Sequence, residues 1–108
     1  MEKHFQIVYL LDLYGGLLTE KQQYVMGLFC NEDLTVSEIA QQLSVSRQAA
    51  SDLLRRTEKI LLDYDAKLGL FDRYLKNRAI ADRLEGLLQA QEAGDEALAA
   101  LGELRDNL

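Results

Sequence analysis

Three observations predict an all-α fold for this chain. Its 108 residues contain no proline, and its seven glycines fall mostly where helices would end. Its apolar residues recur at three- and four-residue steps, without the alternation that marks strands.

The first helix is expected from about Lys3 to Tyr14, with Phe5, Val8, Tyr9 and Asp12 marking its turns and Gly15-Gly16 ending it. Thr19 then caps a second helix, and Gln22 stands three residues later at the capping-box position. Its apolar stripe is Val25, Leu28 and Phe29, fading at "CNED". Thr35 with Glu38 repeats the capping box and starts a short helix through Leu43. Ser46 caps the fourth. Here Ala50, Leu53, Leu54, Thr57, Ile60, Leu61, Tyr64 and Leu68 recur with the spacing of one buried face, and Gly69 is placed to end it.

A fifth helix follows in "LFDRYLKNRAIADRLEGLLQAQ", with Tyr74, Ala81, Leu84 and Leu88 at heptad-like intervals. Gly94 breaks the pattern. Asp95 is positioned to cap a last helix bearing Leu98, Leu101, Leu104 and Leu108. The chain therefore reads as a domain over residues 1–68, then a helical arm and acidic tail over 69–108. The two long helices meeting at Gly69 form a hairpin or an extended arm, whose uncovered apolar surface points to a homodimer.

Within the domain, "SEIAQQLSVSRQAASDLLRRTEK" has the pattern of a helix-turn-helix. Two helices that cross this closely need a small residue at the contact, and Ala40 supplies it. Ile39 and Leu43 are expected to face inward beside it, with Val45 plugging the turn. A turn of this kind often uses glycine to reach a left-handed backbone; Ser44 stands there instead, at a cost on the order of 1 kcal/mol.

On a wheel of the fourth helix the buried face centres near Ala50, Leu53 and Thr57. The opposite face carries Gln48, Arg55 and Lys59, flanked by Ser51 and Asp52, with Arg47 at the boundary. Arg47 and Gln48 have side chains able to read guanine or adenine edges, whereas Arg55, Arg56 and Lys59 suit phosphates. The helix N-terminus behind Ser46 adds N–H groups that favour a phosphate. The candidate nucleic-acid contacts are Ser46, Arg47, Gln48, Ser51, Arg55, Arg56 and Lys59.

Charge limits this reading. The net charge is −6, from 12 basic and 18 acidic residues. Residues 36–60 hold four basic side chains against three acidic ones, a balance of +1, while residues 89–108 hold one against five, a balance of −4. Such a chain has weak non-specific affinity for nucleic acid. Asp52 repels phosphate and serves a base only by accepting from a cytosine amino group.

Other chemistry finds little support. His4 is the sole histidine and is expected on a partly exposed helix face; Cys30 is expected to be a small buried side chain. No His/Cys cluster has metal-ligand spacing and no glycine-rich phosphate loop is present, so neither an enzyme nor a cofactor is expected. The eight Phe and Tyr residues fall mostly on apolar faces and are assigned to the core. The apolar run near the start is broken by Asp12 and lacks the marks of a signal peptide, and no run is long enough to span a membrane. With a lone cysteine, no disulfide calls for an oxidising compartment.

The strings "LLTEKQQYVMGLF", "DLTVSEIAQQLSVSRQAASDLLRRTEKIL" and "YDAKLGLF" resemble the YlxM-like family of small bacterial helix-turn-helix proteins, over roughly residues 5 to 75. The most specific part is Ser46-Arg47-Gln48-Ala49 with Arg56-Thr57-Glu58 downstream. More distantly, the module is similar to the promoter-reading part of sigma factors (region 4). The chain departs from the family at Ser51, where a bulkier residue is common, and at Leu53-Leu54, where the family is more polar.

The resemblance implies a cytoplasmic accessory or regulatory protein of the signal recognition particle pathway, since family members are encoded beside the particle's GTPase and its receptor. It implies the particle's RNA, its GTPase, or both as partners. An A-form RNA groove is too deep and narrow for a helix to read, so Arg47, Arg55, Arg56 and Lys59 would act as charges on the backbone. The acidic segments could meet the GTPase's basic RNA-binding domain. The other expectation is a transcriptional regulator that uses the same helix as a dimer on two DNA half-sites.

Overall fold

The computed structural model describes residues 3–92 and 94–107, and apart from one short 3₁₀ turn the regular elements among them are α-helices. They are α1 (Lys3–Tyr14), α2 (Glu20–Cys30), α3 (Val36–Leu43), α4 (Arg47–Leu68), α5 (Leu70–Ala90) and α6 (Asp95–Asp106). The chain divides into two compact units, one ending at Gly69 and the other beginning at Leu70.

The helix starts in the first unit follow from their caps. The Thr19 hydroxyl accepts from the Gln22 N–H at 3.2 Å while Gln22 accepts from the Thr19 N–H at 3.0 Å. Thr35 and Glu38 exchange the same pair of bonds, 3.1 and 3.0 Å, at the start of α3. Each box satisfies two backbone donors that the first turn would otherwise leave unpaired. The N–H of Thr35 also holds the exposed Glu38 carboxyl below its usual range. Ser46 starts α4 by accepting from the Ala49 N–H at 3.1 Å.

Helix ends follow from left-handed residues. Gly69 stops α4 at φ +65, a conformation that glycine adopts without steric cost. Ser44 stops α3 at φ 56. Its N–H reaches the Gln41 carbonyl at 3.2 Å, and the Val45 N–H reaches the Ala40 carbonyl at 3.0 Å. These two bonds form a Schellman motif, so the turn of the helix-turn-helix is held by backbone at a position where a Cβ is strained. Ser44→Gly is expected to stabilise the fold by about 1 kcal/mol, seen as a higher urea midpoint with an unchanged slope.

α4 is the hub of the first unit, packing against α1, α2 and α3. Its buried residues are Ala50, Leu54, Thr57 and Leu61, at helical steps of four, three and four. Thr57 is fully buried and its hydroxyl donates to the Leu53 carbonyl at 2.8 Å, which satisfies it within its own helix. Facing these are Ile7, Leu10 and Tyr14 of α1, Val25, Met26 and Leu28 of α2, and Ile39 and Ala40 of α3. Tyr14 adds a polar tie: its hydroxyl donates to Asp65 of α4 at 2.6 Å, and its ring stacks on Tyr64 at 6.1 Å. Where α1 ends, Gln23 donates through Nε2 to the Gly15 carbonyl at 2.6 Å.

Several expected positions differ. The core face of α1 is Ile7-Leu10-Tyr14, and Phe5 is 56% exposed, because α1 is apolar almost all round and periodicity cannot choose its face. Tyr24 is also exposed, its hydroxyl donating to Gln42 at 3.3 Å, so it sits on the surface rather than in the core. Met26 is buried while Phe29 is only partly covered. Val45 does not plug the turn; it is 40% exposed, since the short turn commits its backbone to closing α3 and leaves the side chain at the surface.

In the second unit α5 and α6 pair, burying Ala81 and Leu101. Asp95 is the first residue of α6 rather than its cap; Gly94 holds the cap position without a side-chain bond, and Asp95 and Glu96 favour the helix dipole from the first turn. Leu108 lies outside the described residues. Arg105 of α6 pairs with both Asp82 and Glu85 of α5. No helix among the described residues is long and apolar enough to cross a membrane.

Candidate nucleic-acid interface

The surface formed by the start of α4 is built by three local devices. The Schellman motif at Ser44 turns the chain, Ser46 caps the next helix, and Ala40, only 6% exposed, lets α3 and α4 approach closely. The outcome is a helix whose first turn, Arg47-Gln48-Ala49, stands exposed beyond a closed core.

The observed buried stripe turns the expected wheel. Leu54 replaces Leu53 on the buried side, since Leu54 is 7% exposed and Leu53 only partly covered. At 3.6 residues per turn this rotates the outward face by roughly 40°. Asp52 thereby moves from a flank toward the middle of that face, between Gln48 and Lys59. Arg47, Gln48, Arg55, Arg56, Lys59 and the capping Ser46 are all exposed, while Ser51 is half-buried and reaches out least.

The carboxylate sets the electrostatics. Arg55 forms an ion pair with Asp52 one turn earlier, their side chains 70% and 43% exposed. The neighbouring Arg56 leans the same way, its Nε donating to the Asp52 backbone carbonyl at 3.4 Å. Among the described residues Arg47 and Lys59 have no ion-pair partner. So the seven expected contact residues lie on one helix and its cap, but their positive charge is partly used within the helix itself. The spacing of Asp52 and Arg55, three residues apart, is the signal that could have revealed this pair in the sequence.

Away from α4 the surface offers less. Cys30 is half-buried, and burial together with the carboxylates of Glu58 and Asp12 pushes its thiol up to about 11. It therefore stays protonated at neutral pH, unlike a nucleophile or metal ligand. His4 lies edge-on to Phe29 at 5.5 Å, an aromatic contact. No group of three His, Cys, Asp or Glu side chains among the described residues could hold a metal ion.

Comparison with known proteins agrees with this geometry. A family model described as "Putative helix-turn-helix protein, YlxM / p13 like" matches residues 1–101. The chain is similar to a UPF0122 protein of Latilactobacillus sakei, 48% identical over 92 residues, covering 85% of this chain and 81% of the relative. It is 43% identical over 108 residues to a UPF0122 protein of Geobacillus kaustophilus, covering 100% and 98% of the two chains. A UPF0122 protein of Clostridium botulinum is 40% identical over 109 residues, covering all of both.

Proposed function

The chain belongs to the UPF0122 family of YlxM / p13-like helix-turn-helix proteins, and on that premise we propose that it is a non-enzymatic, cytoplasmic accessory protein of the signal recognition particle pathway. It contacts the particle's RNA, its GTPase, or both, and α4 is the surface that meets the RNA. The observation that carries the RNA contact is the exposed side of α4, where Arg47, Arg56 and Lys59 stand out around the Asp52–Arg55 pair.

The mechanism is contact with backbone and shape. Arg47 and the first turn of α4 approach one phosphate, helped by N–H groups at the helix start. Arg56 and Lys59 take further phosphates along the helix. The half-buried Ser51 and the carboxylate beside it make base reading in a duplex groove a poor fit, and they are tolerable against an RNA backbone. The link to the particle rests on the family resemblance of the sequence strings, not on α4.

The alternative is a DNA-binding transcriptional regulator, favoured by the exposed Gln48 and Arg47 at the tip of the second helix. The two readings separate on substrate. Binding of the full chain to signal recognition particle RNA and to random duplex DNA is measured at about 50 and 200 mM salt. Preference for the RNA with a salt-dependent affinity is expected. Tight DNA binding without RNA preference replaces this reading with the regulator.

Asp52 supplies a sharper test. Asp52→Asn removes one negative charge and releases Arg55, so RNA affinity is expected to rise by roughly three- to tenfold near 100 mM salt, with a salt slope steeper by up to about one unit. Titration by fluorescence anisotropy reads both. An unchanged affinity means that this face of α4 does not meet the RNA.

A further inference from the structure

The α5–α6 hairpin has a core too small for the apolar surface it displays. Its buried residues are Phe71, Ala81 and Leu101, yet Ile80 is 54% exposed, Leu84 40%, Leu87 54% and Leu104 51%. On α5 the exposed Ile80, Leu84 and Leu87 follow one another at steps of four and three, a seam suited to another helix.

The charges around this seam are sorted by sign. Arg105, the one cation of α6, is turned onto Asp82 and Glu85 and is only 25% exposed. That contact removes the positive charge from the outside of α6, where Asp95, Glu96, Glu103 and Asp106 are exposed. The same contact occupies two carboxylates of α5. Arg73, Lys76 and Arg83 are left exposed along its apolar seam, with Asp72 paired to Lys76 at 3.0 Å. The hairpin thus presents a basic, apolar helix beside an acidic one that carries Leu104.

We propose that the α5–α6 hairpin docks onto the hairpin of a second copy of this chain, the Ile80-Leu84-Leu87 seam of each copy packing against the exposed Ala97-Ala100-Leu104 strip of the other's α6, which Glu96 and Glu103 flank, to close a four-helix bundle. A twofold arrangement makes the match reciprocal, because each copy brings both faces. The apolar seam is covered, and Arg73, Lys76 and Arg83 meet Glu96 and Glu103 across the joint. A specific interface covers on the order of 1,000 Å², and α5, roughly 30 Å long, offers the length for it. An RNA backbone would use the three cations but would leave Ile80, Leu84 and Leu87 uncovered, so a protein face fits better. The inference is independent of what α4 binds.

The test is sedimentation equilibrium of the full chain from about 1 to 100 μM. A dimer is expected for the wild type and a monomer for Ile80→Glu with Leu84→Glu; circular dichroism of that variant checks that its helices persist. Reversing the cations (Arg73→Glu, Lys76→Glu, Arg83→Glu) is expected to weaken the dimer by at least about tenfold. Adding Glu96→Lys and Glu103→Lys to the reversed chain is expected to restore it. A monomeric wild type across this range overturns the proposal. So does a dimer that survives Ile80→Glu with Leu84→Glu, or a charge reversal that lowers RNA affinity while leaving the dimer intact.

Discussion

Changing Arg47, Arg56 and Lys59 together to alanine is expected to weaken binding to signal recognition particle RNA by on the order of 100-fold at about 100 mM salt. The magnitude follows from counting phosphates. Arg55 is already paired with Asp52, so these three side chains supply most of the uncommitted charge on α4. Each phosphate deprived of its cation should also reduce the slope of log affinity against log salt by about 0.7 to 0.9, so the triple variant should show a slope shallower by about two units. All three side chains are exposed, and their removal leaves the core intact; the thermal midpoint should move by less than about 2 °C. Filter binding at several salt concentrations, with a melt as control, reads both quantities. If affinity stays within about twofold of wild type, α4 is not the RNA surface.

The largest effect on folding is expected at Leu61. It is fully buried on α4, the helix that joins the other three of the first unit. Leu61→Ala removes apolar packing and leaves a cavity in a site framed by rigid helices, costing about 2–5 kcal/mol. A unit that ends at Gly69 has a total stability of only about 3–10 kcal/mol at ordinary per-residue values. The variant therefore sits near the edge of folding, with a thermal midpoint lower by more than about 10 °C. Leu68→Ala is the matched control on the same helix. Leu68 is 53% exposed, and its truncation should cost less than about 0.5 kcal/mol. Urea titration followed by circular dichroism distinguishes the two; equal midpoints would mean that α4 is not the centre of the core.

The parts legible in the sequence were those with a local cause. Thr19 with Gln22, Thr35 with Glu38, Ser46 and Gly69 each act within about one turn of the chain, and the helix boundaries follow them closely. Ser44 as the left-handed turn residue is also set locally, and Ala40 is buried as its small size suggested. Facing was harder. In α1 and at Leu53-Leu54 apolar residues are adjacent, so several rotations bury similar area and only the packed neighbours decide. That decision moved Asp52 into the midst of the candidate contacts, which changes the site more than any boundary could. The Tyr14–Asp65 tie spans 51 residues, and the Arg105 pairs join separate helices; neither has a local signature.

The Asp52–Arg55 pair also sets a clock. Within one interface, differences of affinity arise mostly from the rate at which partners separate. An exposed carboxylate standing among the cations of α4 therefore shortens each encounter with a polyanion, and it also slows the arrival, because exposed charges act on association as well. In the proposed contact with RNA, Asp52 is thus the residue that favours release of α4.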